Sequence, residues 1–249
     1  MSRRAGAQTV DSALELLDLI ANYKGVTLSE VARLLGATTT KTHRLLAALE
    51  GKGYLSRTSG KAYELGPKLL YLGHRASRGN QLLRAAAPVL DHLSETTGET
   101  ALLAVRFGAE RLIVDSRDSR FGPQAAWPHD ARLPLHSGAL GICLLSYAHQ
   151  GIVAQVVAEG LTEFTSTTVS SEEQLREAMR SVRQNGSYAS KGSYVEGIYS
   201  IAAPVLGTNR EAVAAVSIVG DLVRLDEKKE AGFHEEVRKG AARIAAYLT

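Results

Sequence analysis

The stretch Thr27–Tyr63, TLSEVARLLGATTTKTHRLLAALEGKGYLSRTSGKAY, decides how the amino-terminal part of the chain folds. Thr27 precedes an apolar-periodic run and Glu30 follows three residues later, the spacing at which a hydroxyl and a carboxylate satisfy each other's backbone N–H groups in a capping box. Leu28, Val31, Ala32, Leu34 and Leu35 give that first short helix its apolar side. Gly36 allows the left-handed backbone that ends it, and Thr38 or Thr39 can cap a second helix, Thr40–Gly51. On the second helix Thr42, Leu45, Leu46 and Leu49 share the inward face. At about 100° per residue the opposite face carries Thr40, Arg44, Ala47 and Gly51, flanked by Lys41 and His43. Past Gly53, Tyr54–Arg57, the turn Thr58-Ser59-Gly60-Lys61 and Ala62–Leu65 read as a hairpin. Two short helices, a tight turn and a hairpin in that order predict a winged helix-turn-helix. Thr39, Thr40, Lys41, His43 and Arg44 are the candidate residues for a DNA groove, and Arg57 and Lys61 for the sugar-phosphate backbone.

Charge supports that reading. Residues 1–80 hold 12 Lys and Arg against 6 Asp and Glu, and residues 81–249 hold 17 against 20. A basic head on a mildly acidic body suits a DNA-binding unit joined to a sensor or an enzyme. The 249 residues exceed one ordinary domain, and 45% hydrophobic with 22% charged residues describes globular protein. The lone Cys143 excludes an intrachain disulfide and suits a reducing compartment. Asp11, Glu15 and Asp18 interrupt the run that a signal peptide needs, and no apolar stretch reaches membrane-spanning length, so a cytoplasmic location is expected.

Outside the opening stretch, residues 1–8 read as a mobile basic tail, and Val10, Ala13, Leu14, Leu16, Leu17 and Ile20 mark an amphipathic helix ending near Lys24-Gly25. Residues 67–79 read as a linker helix opened by Pro67. Its apolar Leu69-Leu70-Tyr71-Leu72 calls for cover by a partner linker or the second domain. Further on, Gln81–Thr97 is predicted helical, Thr100–Phe107 and Arg111–Ser116 pair as strands, and Arg117–Arg132 is irregular. A helix follows through Tyr147, then helices over Gln150–Gly160 and Glu172–Gln184, strands Tyr199–Leu206 and Ala212–Val219, and a closing helix Glu227–Leu248. The class is α+β, with antiparallel sheet and flanking helices.

Taken together these residues resemble the IclR family of bacterial transcription regulators. The amino-terminal resemblance lies in Leu28-Ser29-Glu30-Val31-Ala32, Thr42-His43-Arg44-Leu45-Leu46, Gly53-Tyr54 and Tyr63-Glu64-Leu65-Gly66. In the remainder it lies in Thr97-Gly98-Glu99-Thr100, Leu133-Pro134-Leu135-His136, Gly141, the Gly186–Gly197 loop and Ile201-Ala202-Ala203-Pro204-Val205. The resemblance implies a winged helix-turn-helix over 1–66, a linker helix over 67–80, and a GAF-like effector-binding and oligomerisation domain over 81–249, assembled as dimers or dimers of dimers. It implies an effector-responsive, sequence-specific regulator of a catabolic operon. The expected partners are a double-stranded operator and a small organic or aromatic acid, with no cofactor and no metal.

By the same resemblance the helix entered at Ser137-Gly138 points the Ala139 and Leu140 amides at a carboxylate, and Ser190, Ser200 and Ser217 face them across the pocket. Ile142 stands where many relatives have Lys, Gly192 and Ser193 where they have acidic residues, Ser187 where Tyr is common, and Ser12 where Arg is frequent. The expected pocket is therefore less charged than the family's usual one. Two other classes remain in view: a ligand-independent DNA-binding protein, and an enzyme or metal protein built on His129, Asp130, His136 and Cys143.

Overall fold

In a computed structural model, which describes residues 2–23, 25–121 and 132–248, the chain divides into two compact units, 1–79 and 80–249. In the first, α1 (Ser2–Asn22), α2 (Leu28–Leu34) and α3 (Thr39–Gly51) precede the hairpin β1 (Leu55–Arg57) and β2 (Tyr63–Leu65), and α4 (Pro67–Arg78) follows it. Residues 2–8 of the expected tail are instead the start of α1.

The capping box forms as the spacing requires. The Thr27 backbone N–H donates to the Glu30 carboxylate at 2.8 Å, and the Glu30 N–H donates to Thr27 Oγ1 at 3.4 Å. The Thr27 N–H, and after it the Thr27 hydroxyl, hold the Glu30 carboxyl below the ordinary carboxylate range. Thr38 caps α3, accepting from the Lys41 N–H. Leu16, Ile20, Val31, Leu45, Leu46, Leu55 and Tyr63 close one core under both helices. Gly36 takes φ +59° at the turn between them, where a side chain would strain the backbone. Thr27→Ala should lower the stability of this unit by about 1 kcal/mol, because a cap acceptor is lost and no buried contact changes. Urea titration of the full chain, followed by far-ultraviolet circular dichroism, checks this.

The second unit begins with α5 (Gln81–Thr97) and is built on β3 (Thr100–Phe107), β4 (Glu110–Arg117), β5 (Arg132–Pro134), β6 (Tyr188–Lys191), β7 (Ile198–Leu206) and β8 (Ala212–Asp221). These run antiparallel in the order β5-β4-β3-β8-β7-β6. The helices α6 (Gly138–Ser146), α7 (Gln150–Glu159), α8 (Glu172–Asn185) and α9 (Glu227–Leu248) complete the unit.

Both faces of the sheet are covered. Tyr199, Ile201, Ala203 and Val205 of β7 join Leu90 and Leu93 of α5 and Val237 and Ile244 of α9. Alternate residues Ile198 and Ala202 join Leu140 and Cys143 of α6 and Leu175 and Val182 of α8. Strands buried on both faces read as long apolar runs, as β7 and β8 do. The edge strand β6 lies where a loop was expected, and β5 joins Arg132, the last residue of the segment expected to be irregular, to Leu133 and Pro134, which were expected to lead into the next helix. Each is short and takes its pairing from a distant partner, β6 from β7 and β5 from β4.

Candidate functional site

Two regions collect the candidate residues. In the first unit Thr39, Thr40, Lys41, His43 and Arg44 are all exposed on α3, opposite buried Thr42, Leu45 and Leu46. Arg44 makes no hydrogen bond or ion pair among the described residues, so its guanidinium is open to solvent. Lys41 is tied back, its Nζ donating to Ser12 Oγ at 3.2 Å. Lys61 is exposed at the wing tip with φ +63°.

Arg57 differs from expectation. Its guanidinium pairs with Glu50 at 3.4 Å, bonds the Tyr63 hydroxyl and lies 4.8 Å from the Tyr63 ring centroid. It fastens the hairpin to α3, and only the remaining guanidinium edge is left for a phosphate.

In the second unit a small recess opens at the start of α6. Arg111, Gly138, Ala139, Leu140, Ser190, Ser193, Tyr194, Val195, Ile198, Tyr199 and Ser200 line it. Four of the five expected effector contacts, Ala139, Leu140, Ser190 and Ser200, are thus brought together. Ser217 is not among the lining residues. It sits on β8 opposite Ala202 of β7 and Leu102 of β3, fully buried, with an Oγ that has no hydrogen-bond partner.

The Ser137 side chain does not cap α6, which leaves the amides of its first turn without a side-chain acceptor. Gly138 enters the helix at φ +74°. Across the recess, the Ser190 and Ser193 hydroxyls bond each other. The loop carrying Ser193 is fastened by three threonines. Thr165 Oγ1 donates to Gly192 O at 2.7 Å, Thr167 Oγ1 to Lys191 O at 2.9 Å and Thr168 Oγ1 to Ser193 O at 2.6 Å. Tyr194 packs on Phe164 with ring centroids 4.7 Å apart, and Phe164 stacks on His136 at 6.1 Å.

The residue that sequence reasoning missed is Arg111. It is 3% exposed, and its Nε and Nη1 are buried without hydrogen-bond partners among the described residues. Burial pushes its guanidinium down to about 10, an effect that the Tyr194 phenol partly offsets. The available signal was strand alternation, which puts Arg111 on the same face as Ile113 and opposite Leu112 and Val114.

The nucleophile reading finds no geometry. Cys143 is buried and donates to Ala202 O at 3.4 Å, and burial pushes its thiol up, away from the thiolate that attack requires. His136 Nε2 lies 3.0 Å from Thr162 O and its Nδ1 has no partner, so it does not activate Cys143. His129 and Asp130 lie outside the described residues. Among the described residues no group of three or more His, Cys, Asp and Glu could hold a metal ion, and no helix is long and apolar enough to cross a membrane.

Comparison with known proteins matches residues 9–59 to the IclR helix-turn-helix domain and residues 74–246 to the family described as bacterial transcriptional regulator IclR C-terminal. The chain belongs to the IclR family of bacterial transcriptional regulators. It is 29% identical to the HTH-type transcriptional regulator BhcR of Paracoccus denitrificans over 242 residues, 96% of this chain and 87% of that one. With an IclR transcriptional regulator from Alicyclobacillus acidocaldarius it shares 26% identity and a TM-score of 0.87, covering 97% of this chain and 99% of the other. An IclR homolog from Microbacterium hydrocarbonoxydans, solved in complex with 4-hydroxybenzoate, has the same fold at 24% identity, with a TM-score of 0.78 and coverage of 96% and 98%. As an IclR-family regulator the chain pairs a DNA-binding helix-turn-helix domain with a ligand-binding carboxy-terminal domain, in an α+β architecture.

Proposed function

We propose that α3 reads an operator through Thr39, Thr40, Lys41, His43 and Arg44, with Lys61 and the free edge of Arg57 on flanking phosphates. The recess at α6 then holds the effector, through Ala139, Leu140, Ser190 and Ser200. The unpaired, solvent-facing Arg44 on an otherwise small-residue helix face carries the DNA half of this reading. It has the reach and the forked donors for guanine or a phosphate, while Ala47 and Gly51 permit close approach.

Two copies of the chain act together in the cytoplasm, on half-sites about 34 Å apart or a multiple of it. Exposed Leu70, Tyr71 and Leu72 on α4 support self-association, being 78%, 54% and 39% accessible in a single copy. The effector is a small metabolite of the pathway whose operon the protein controls, and it alters operator affinity by binding the DNA-competent and DNA-released forms unequally. The protein works by binding alone, without turnover; the buried, protonated Cys143 supports this.

Arg44→Ala should weaken specific operator binding by about 1–3 kcal/mol, whereas Lys61→Ala should weaken all sequences alike and reduce the salt slope by about one. Gel-shift titrations across a salt series, on promoter fragments beside the gene and on random duplex, measure both effects. An Arg44→Ala protein that binds its promoter as tightly as the parent does would remove α3 as the reading helix.

A further inference from the structure

The loop that joins β6 to β7 begins and ends on glycines that hold positive φ, Gly192 at +73° and Gly197 at +78°. Between them Ser193, Tyr194 and Val195 line the recess at α6, while Glu196 is exposed. One thickness of chain therefore separates this side of the cavity from solvent. The cavity itself is about 30 Å³, room for one or two waters. Small-molecule sites commonly run to about 300 Å³ or more, so an organic ligand enters only when part of the lining moves.

Residues 164–168 grip the loop at its start. Thr168 Oγ1 accepts from the Phe164 N–H at 3.0 Å and from the Thr165 N–H at 2.9 Å, which leaves its single hydrogen for the Ser193 carbonyl. Thr165 Oγ1 donates to the neighbouring Gly192 carbonyl at 2.7 Å. The turn thus satisfies its own backbone and ends in hydroxyl donors set against consecutive loop carbonyls. At the far end the Leu222 N–H donates to Gly197 O at 2.6 Å. Between these ties the span is held by the Ile198 N–H on Val195 O at 3.3 Å, by the Ser190–Ser193 hydroxyl pair and by the Tyr194 ring on Phe164.

We propose that residues 193–196 form a roof that swings on Gly192 and Gly197, and that the threonine clasp at 165–168 sets how often it opens. The recess is then reached from an unclasped minor form. The regulatory consequence rests on the reading of the recess as the effector site. The apparent affinity of a ligand too large for the closed cavity is lowered by the fraction of molecules that are open. Thr165 and Thr168 are not among the lining residues, so they act on the concentration at which the protein responds and not on which ligand it accepts.

The experiment is iodoacetamide labelling of the full-length Ala139→Cys protein across a urea series, read site by site by mass spectrometry. Ala139 is 1% exposed in the recess wall, and Cys143, 0% exposed one turn further along α6, is the internal reference for global unfolding. The residue 139 thiol should label below the unfolding transition at a rate that changes little with urea, whereas Cys143 should follow urea steeply. Thr165→Val should raise the residue 139 rate about five-fold, the effect of one lost hydrogen bond, and Thr165→Ser should restore it. Gly197→Ala tests the other hinge, because a Cβ there meets nothing within 4 Å and only the closed-state φ is strained. It should also raise the rate about five-fold.

Labelling at residue 139 with the urea dependence of Cys143 overturns the proposal, since the recess then opens only when the unit unfolds. Fast labelling that neither Thr165→Val nor Gly197→Ala alters overturns it too, because access would not run through the roof. Amide exchange of the 192–198 segment, in protein without the added cysteine, reads the same opening should Ala139→Cys fail to fold. The labelling contains neither DNA nor effector, which keeps the two readings apart. A roof that opens as described, in a protein whose operator binding answers to no metabolite, stands while the effector reading falls. A fixed loop in a protein whose operator binding does answer gives the reverse.

Discussion

Arg224→Met is expected to destabilise the second unit by about 3 kcal/mol. Arg224 reaches back from the turn after β8 to Glu99, its Nη2 donating to one carboxylate oxygen at 2.8 Å and its Nε to the other at 3.2 Å. The Glu99 side chain is only 4% exposed, against 26% for Arg224. The carboxylate is the buried partner, and removing the arginine strands it. These Glu99 hydrogen bonds are the main reason that the Arg224 guanidinium is held above its ordinary value, with Asp221 adding to it. The phenol of neighbouring Tyr199 is pushed up by burial first and by the Glu99 charge second, so it stays neutral and brings no competing charge.

The measurement is denaturant unfolding of Arg224→Met, Glu99→Gln and the double variant. The double should recover more than half of the loss, because the amide needs no counter-ion. Additive losses, or a single loss under about 1 kcal/mol, would show that the pair contributes only as an exposed ion pair does.

Gly141→Ala should cost about 2–3 kcal/mol, near the upper end for overpacking. A Cβ at that position would sit 2.8 Å from the Leu135 carbonyl carbon and 2.9 Å from its Cα, closer still to the carbonyl oxygen, and all three are backbone atoms that cannot rotate away. Relief requires α6 to move off the segment that enters it. The Ala139 and Leu140 amides would move with it, so the variant should also lose its thermal response to any ligand that stabilises the parent. Gly36→Ala provides a contrast, because a Cβ there meets nothing within 4 Å and only the positive φ is strained. Should Gly141→Ala melt within about 1 °C of the parent, the close packing of α6 on Leu135 would be wrong.

These sites show unequally in the amino-acid sequence. Gly141 could be noticed as a glycine in an apolar run, but its contact with Leu135 could not, since six residues along a helix entry fix no distance. Glu99 and Arg224 are 125 residues apart and no local pattern joins them. Arg57 looked like a phosphate contact because it is basic and near a turn. Only folding revealed that Glu50 and Tyr63 hold it.

What the sequence by itself determined is whatever depends on neighbours three or four positions away. The Thr27–Glu30 box, the inward Thr42, Leu45 and Leu46 with Arg44 opposite them, and the extents of α5, β3 and α9 follow from side-chain periodicity and from caps satisfying local backbone groups, whereas the choice of Thr38 over Thr39 as the cap of α3 came from the structure. The tertiary structure decided which distant strands pair. Pairing made edge strands of Arg132–Pro134 and Tyr188–Lys191, sank Ser217 beyond the recess lining, and set the Arg111 guanidinium in the recess at the start of α6. The reason is physical. Burial and charge compensation depend on atoms brought close by folding, and spacing along the chain carries no record of them.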